Sequence, residues 1–388
     1  MKFLSATKIH NGKHWLPQGT VLEILEDGTL IDILAEGLVP KEKIEFYDGI
    51  ICPGFVNAHC HMELSHMKGV IEEGNKLVPF LQSVMLGRNT VTAEEKDRAI
   101  VAAIESMRSE GIVAVGDIAN GTDSLKHRPS AGFHIHTFVE SLGFSETNAA
   151  SRFAYSENVY KQFAEQEGSE HQTLSQSIVP HAPYSVSGAL FQLINDFDKH
   201  SIVSIHNQET IAENEFYQSK TGAIIDLHNT LNIDASFFEA TGKSSLQSYL
   251  PAIAGTHPLL LVHNTFMSNS DLAWLQSTRS NFTLCLCPNA NLYIEHCLPP
   301  VTMFASASAP ICLGTDSLSS NHQLSIWSEV QTLQKHFPEI ELEEMLVWAT
   351  YNGAKALQMD NIIGSFEINK KPGFVAISAD LQTAKKII

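Results

Sequence analysis

Over the first 50 residues, apolar positions come in short runs broken by turns. Thr20-Val21-Leu22-Glu23-Ile24-Leu25 gives way to Glu26-Asp27-Gly28-Thr29, and then to Leu30-Ile31-Asp32-Ile33-Leu34. Short β-branched runs with Asp-Gly punctuation predict antiparallel hairpins. The last thirty residues carry a similar rhythm, in Ile362-Ile363-Gly364-Ser365-Phe366-Glu367 and, past Lys371-Pro372-Gly373, in Phe374-Val375-Ala376-Ile377. The two ends are therefore expected to build one small β-domain from residues 1–51 and 356–388, with everything between inserted into it.

The middle has a different period. Short apolar runs alternate with longer amphipathic stretches, the pattern of repeated βα units around a parallel sheet. Candidate strands are Gly54–His61, Ile112–Ile118, Phe133–Glu140, Ser177–His181, Ile202–His206, Leu259–His263, Phe282–Cys287 and Ile311–Asp316. Between them lie candidate helices such as Ala93–Glu110, where Ala99, Ala102, Ala103, Ile104 and Met107 are spaced for one buried face. Eight strands with intervening helices predict an α/β fold: a (β/α)₈ TIM-like barrel over 52–355, carrying a small β-sandwich domain built from both chain ends.

Composition narrows the chemistry. Of 388 residues, 44 % are hydrophobic and 18 % charged, enough apolar material for a large core and too much for a disordered chain. Asp plus Glu number 43 against 25 for Lys plus Arg, a formal charge of −18. An acidic surface repels polyphosphate, so nucleic acid is not an expected partner and a small-molecule substrate is. No basic, apolar leader opens the sequence, and no apolar run approaches the roughly 18 residues of a membrane span. A cytoplasmic protein with no membrane partner is expected. Cys52, Cys60, Cys285, Cys287, Cys297 and Cys312 lie in apolar runs without a CxxC pair, which predicts buried, reduced thiols.

The strand ends carry the strongest signal. In such barrels the C-terminal strand ends converge on one mouth, where chemistry is housed. Strand one ends in His59-Cys60-His61, strand four in His181, strand five in His206, strand six in His263 and strand eight in Asp316. A lone histidine at a strand end is more often a satisfied polar group than a ligand; five such ends together point to a metal site. His59 and His61, two apart, face the same way on an extended strand. With His206 and Asp316 they supply three imidazole nitrogens and one carboxylate, a set suited to one divalent ion, Zn²⁺ first and Fe²⁺ second.

A bound divalent ion lowers the pKa of water from about 15.7 to about 7. Asp316 is placed to accept the proton of that water, and His263, one strand further round, to hydrogen-bond the hydroxide or the developing oxyanion. Glu209, three residues past His206 and outside the ligand set, is placed to carry protons to a substrate's ring nitrogen and leaving group. Two-metal barrels of this general kind usually need a bridging carboxylated lysine at the end of strand four. Here Val179-Pro180-His181-Ala182-Pro183-Tyr184 has no lysine, so a single ion is expected. That leaves His181 free as a substrate contact, with an orienting role also open.

Several segments, taken together, resemble the amidohydrolase superfamily. They are Pro53-Gly54-Phe55-Val56-Asn57-Ala58-His59-Cys60-His61, His181-Ala182-Pro183-Tyr184-Ser185-Val186-Ser187, the His206…Glu209 pair, His263-Asn264, Cys287-Pro288-Asn289-Ala290-Asn291-Leu292 and Gly314-Thr315-Asp316-Ser317. The resemblance is to the branch holding cytosine, guanine, S-adenosylhomocysteine and aminodeoxyfutalosine deaminases and the triazine chlorohydrolases. It extends to Gly364-Ser365-Phe366-Glu367-Ile368 and Lys371-Pro372-Gly373 near the end and so spans the whole chain. It implies metal ligation by His59, His61, His206 and Asp316, with Glu209 and His263 as catalytic partners, and a homodimer. Two departures are visible: Lys371-Pro372-Gly373-Phe374 replaces the usual Lys-Ala-Asp-Leu, and Ala290-Asn291 replaces Ser-Asn.

The leading expectation is a metal-dependent hydrolytic deaminase of an aminated heterocycle: a purine, a pyrimidine or a nucleoside-like compound. The alternatives are hydrolysis of a cyclic amide, urea or C–Cl bond by the same centre, and a metal-stabilised binding protein without turnover. The segment Met62-Glu63-Leu64-Ser65, then Phe80-Leu81-Gln82-Ser83-Val84-Met85 and Arg88, is similar to the compact aminodeoxyfutalosine deaminase type. On that basis Glu63 is a candidate to bond a base edge or sugar hydroxyl, and Arg88 to clasp a substrate carboxylate. A surface or capping role fits each of these two equally well.

Overall fold

The computed structural model describes residues 1–169 and 171–388. Four strands come from the N-terminal end, β1 (Lys2–Ile9), β2 (Val21–Ile24), β3 (Leu30–Leu34) and β4 (Ile44–Pro53). Eight follow in the middle: β5 (Phe55–Cys60), β6 (Ile112–Ala119), β7 (His134–Ser141), β8 (Leu174–Pro180), β9 (Val203–Asn207), β10 (Leu259–His263), β11 (Phe282–Leu286) and β12 (Ile311–Leu313). Two more, β13 (Phe374–Ser378) and β14 (Ala384–Lys386), close the chain.

Both chain ends meet in one six-stranded sheet of order β14-β13-β4-β1-β2-β3. The expected hairpin forms between β2 and β3, with Leu22 opposite Ile33. One pairing differs from the expected antiparallel pattern. After β3 the chain crosses back over β1, so β4 lies on its other side and runs parallel to it, with Ala6 opposite Tyr47. β13 then adds antiparallel to β4, Ala376 opposite Ile51. Ile362–Glu367 is not a strand. Gly364 adopts φ +84° and turns the run, and the Phe366 N–H donates to the Asn11 carbonyl at 2.8 Å. This segment therefore clasps the N-terminal end instead of extending the sheet.

The eight middle strands lie where the apolar runs placed them and pair in parallel, in chain order, as two four-stranded sheets, β5 to β8 and β9 to β12. Strands β5, β9 and β10 are buried at every position, as expected for a parallel sheet covered on both faces by helices. Hydrogen bonds join the two sheets at both seams: His206 N–H to the His181 carbonyl at 3.0 Å, and the N–H groups of Thr315 and Asp316 to the His59 carbonyl at 3.0 and 3.1 Å. The helix Ala93–Ser109 starts at a capping box, in which Thr92 and Glu95 bond each other's backbone N–H groups. Its buried stripe is Ile100, Ala103, Ile104 and Met107; Ala102 faces solvent, one step off the i, i+3, i+4, i+7 row.

All six cysteines are unpaired, five of them buried and Cys297 half-buried. No helix among the described residues is long and apolar enough to cross a membrane.

Candidate active site

Parallel pairing gathers the C-terminal ends of β5 to β12 on one side, and the polar strand ends with them. His59 lies on β5 and His61 one residue past it; His206 lies on β9; Asp316 follows β12 by three residues. Their ligand atoms lie within 4.8 Å of one another, and all four residues are buried. His61 Nε2 is 3.2 Å from His59 Nε2 and 3.2 Å from Asp316 Oδ1. Asp316 reaches this point because Gly314 lets the chain pass close to β5. A Cβ there would stand 2.8 Å from the His59 Cβ and 2.9 Å from its carbonyl oxygen. Asp316 itself adopts φ +56°, and Ser320 Oγ donates to its Oδ2 at 2.5 Å.

This donor set fits a divalent cation. His206 donates Nδ1–H to the His181 carbonyl at 2.7 Å, which leaves the Nε2 lone pair free for a metal. Burial holds His59 and His206 neutral, with pKa values down at about 3, so their lone pairs face a carboxylate and each other. Burial lowers the affinity of His61 for a proton, but the Asp316 carboxylate outweighs it and raises its pKa. Burial likewise opposes ionisation of Asp316, and the imidazoles of His59 and His61 beside it overcome this and hold the carboxyl well below the usual range. A cluster of buried lone pairs that draws in positive charge is a cation site.

Glu209 follows β9 by two residues. Its carboxyl is buried, accepts no hydrogen bond among the described residues, and has Oε1 3.6 Å from His263 Nε2. Burial, with Asp316, Glu213 and Glu295 nearby, pushes it well above the usual carboxyl range. His263 ends β10 fully buried, and its Nε2 has no hydrogen-bond partner among the described residues. His181, one residue past β8, donates or accepts through Nδ1 at 2.9 Å to Ser185 Oγ, and its ring centroid lies 4.9 Å from that of His206. Burial lowers its pKa to about 3, so it stays a neutral ring beside the site.

Glu63 and Arg88, the two candidate substrate contacts, meet each other. Arg88 donates to Glu63 Oε1 at 2.7 Å, and the Asn120 backbone N–H donates to Glu63 Oε2 at 3.1 Å. Each charged group already has a partner: Glu63 is 2 % exposed, and Arg88 keeps 28 % of its side chain open. The pair belongs to a longer chain of contacts, because Asn120 Nδ2 donates to Glu140 Oε2 at 2.8 Å and Glu140 Oε1 lies 3.5 Å from His206 Nδ1.

Glu140 did not enter the list of candidates drawn from the sequence, although its signal was present: it ends the third predicted strand, as the histidines end others. Asp117, on β6, was missed too. Its Oδ1 accepts the Met62 N–H at 3.0 Å and its Oδ2 the Ser124 hydroxyl at 2.9 Å, which anchors the turn carrying Glu63. Glu329 ties two mouth loops together, accepting from Asn289 N–H at 2.8 Å and from Asn321 Nδ2 at 2.9 Å. Nothing in its local sequence distinguishes it from a solvated helix charge.

The model of the amidohydrolase family matches residues 50–387. Among curated proteins, adenosine deaminase of Helicobacter pylori is 29 % identical over 344 residues, covering 86 % of this chain and 80 % of that one. Among solved structures, Helicobacter pylori aminofutalosine deaminase in complex with methylthio-coformycin superposes with a TM-score of 0.81 at 24 % identity, covering 97 % of this chain and 92 % of that one. An adenosine deaminase from Xanthomonas campestris with bound zinc superposes with a TM-score of 0.72 at 20 % identity, covering 97 % and 84 %. At these identities the two structures show a shared fold.

Proposed function

This chain belongs to the amidohydrolase family, and on that premise we propose that it is a hydrolytic deaminase of an adenosine-like nucleoside. The observation that carries this is Glu209: a buried carboxyl with no hydrogen-bond partner among the described residues, 3.6 Å from an equally unpartnered His263 Nε2 and beside a four-donor cation site. The relatives named above as adenosine and aminofutalosine deaminases favour an aminated purine nucleoside over a cyclic amide, urea or C–Cl bond.

In this reading His59, His61, His206 and Asp316 hold one divalent ion, zinc before iron. When bound, that ion supplies Lewis acidity, which brings the pKa of water from about 15.7 to about 7. The protein's own groups do the rest. Water adds to the amine-bearing ring carbon, and Asp316 takes up its proton. His263 donates from Nε2 to the oxygen on which charge develops. Glu209, whose burial favours the protonated carboxyl, protonates the ring nitrogen and then serves the departing amine. The net change is one water consumed, one C–N bond broken, one carbonyl formed and one ammonia released. His181 is assigned to the substrate's surroundings. Glu63 and Arg88 are assigned to the wall that shapes them, through their mutual ion pair.

The two parallel sheets are read as one closed eight-stranded barrel over 52–355. Residues 1–51 and 356–388 are read as the small β-domain, with the remaining segments of both ends completing a sandwich. A cytoplasmic homodimer is the assembly proposed. The test is ammonia release by zinc-loaded protein from a panel of adenosine derivatives, aminopyrimidines, cyclic ureas and chlorotriazines. Ammonia from an adenosine-like member is the expected result. Ring-opened acid or chloride, with no ammonia, would move the assignment to the other hydrolases.

A further inference from the structure

We propose that Asn291 is a positioning residue that fixes the tautomer of His263, holding Nδ1 as acceptor so that Nε2 carries its proton toward the site. Asn291 lies in the short helix Pro288–Glu295 after β11 and is fully buried. Its Nδ2 is 3.2 Å from His263 Nδ1 and donates to Thr265 Oγ1 at 2.8 Å. A neutral imidazole has one N–H, and the partner of one nitrogen decides which atom carries it.

The direction of the amide follows from counting buried groups. As placed, both N–H groups of Asn291 have acceptors and only its carbonyl is left without a partner among the described residues. Turned over, one carbonyl would face both Thr265 and His263, and two N–H groups would occupy the place that the single orphan carbonyl has now. Orphaned N–H groups are the rarer of the two in proteins, so the donor orientation is favoured. His263 then donates only through Nε2, the atom 3.6 Å from Glu209 Oε1 and without any hydrogen-bond partner of its own.

The backbone prevents the ring from turning away. His263 and Asn264 both adopt left-handed conformations, φ +73° and +60°, a strained turn that persists only where its surroundings hold it. Asn264 Nδ2 donates to the Leu261 carbonyl at 2.8 Å, and its Oδ1 accepts from Asn207 Nδ2 at 3.0 Å. Tyr249 in turn donates its hydroxyl to Asn207 Oδ1 at 2.8 Å. The strand end is thus fixed from β9, and Asn291 fixes the ring from β11.

The inference rests on the reading of His263 as the group that meets the reacting oxygen, and its first test does not depend on turnover. In zinc-loaded protein labelled with ¹⁵N-histidine, long-range ¹H–¹⁵N spectra should show His263 with Nε2 protonated and Nδ1 bare. A protonated Nδ1 would overturn the proposal whether or not any substrate releases ammonia. The second test compares Asn291→Asp, of the same shape but able only to accept, with Asn291→Ala. Asp demands a proton on Nδ1 and strips the donor from Nε2, so its kcat should fall about 10²–10³-fold with KM and zinc content unchanged. Ala, which imposes neither tautomer, should fall between Asp and wild type. If Asp matches wild type and Ala is worse, Asn291 merely packs and the proposal fails. Should Asn291→Asp not fold, the spectrum of the wild-type protein decides.

Discussion

At the mouth, the wall built from His59, His61, His206 and Asp316 and the wall built from Glu63, Arg88, Asn120 and Glu140 bury charge in different ways. On the second wall the groups satisfy one another. Arg88 meets Glu63, the Asn120 backbone meets the other Glu63 oxygen, and the Asn120 side chain meets Glu140. On the first, four possible ligands converge within 4.8 Å of one another, and the Glu209 carboxyl and His263 Nε2 stand beside them without a hydrogen-bond partner among the described residues. Burying polar groups unpaired costs free energy, on the order of 1–3 kcal/mol for each neutral group and more for charged ones. A fold keeps such a cluster where something outside the chain completes it. Charged residues at the mouth therefore divide by whether the protein itself answers them.

The largest expected effect breaks the unanswered wall. Chelation of the zinc-loaded protein should lower its thermal midpoint, and added zinc should restore it, because binding to the folded state stabilises that state. His59→Ala should abolish this zinc-dependent rise and weaken zinc affinity beyond the about 10–100-fold carried by groups that only support a ligand. Full zinc occupancy in His59→Ala, measured by elemental analysis, would remove His59 from the ligand set.

Glu209→Gln should come next. Glu209 is outside the ligand set, so zinc content and thermal midpoint should hold while turnover falls by about 10²–10⁴-fold. Loss of zinc from this variant would place Glu209 on the cation instead of on the substrate.

The answered wall should respond in stability. Arg88→Met leaves the Glu63 carboxylate buried without its cation, a change costing up to about 3–5 kcal/mol for a fully buried pair. The exposure of Arg88 brings this toward the lower end. Adding Glu63→Gln should recover most of the loss in urea unfolding. An unchanged stability with a raised KM would instead make Arg88 a direct substrate contact.

The smallest effect concerns the clasp between the chain ends. Lys13 and Lys370 both pair with Glu367 at 2.8 and 3.0 Å. Their hydrogen bonds bring the Glu367 carboxyl from its ordinary 4.5 down to about 2. A carboxyl depressed on folding contributes stability that is present above its ordinary pKa and lost as pH falls toward its folded value. With the pair half exposed, Glu367→Gln should cost about 0.2–1 kcal/mol at neutral pH. That difference should vanish between pH 4.5 and 2 in acid unfolding.

How much was legible depended on whether a signal was local. The eight parallel strands were readable because each is a short apolar run buried on both faces. The histidines and Asp316 were readable because chain position at a strand end already implies convergence. Glu140 carries the same mark at the end of β7's predicted run, with a carboxylate in place of imidazole. The parallel placement of β4 and the turn at Gly364 were not legible, since a short β-branched run reads the same in either strand direction. The partner of a charge was equally hidden. Glu63 and Arg88 are 25 residues apart, and no periodicity links them.

The order of elements, the polar strand ends and the family follow from hydrophobic period and residue type, which act over a few neighbouring positions. The tertiary structure decided which charges meet. It paired Glu63 with Arg88, set the Glu209 carboxyl facing His263 Nε2, and placed Asn291, in the helix after β11, against the Nδ1 of His263. Those outcomes depend on distances of 2.7 to 3.6 Å between residues far apart in the chain, and the energy of a buried polar group is fixed by what lies at that range.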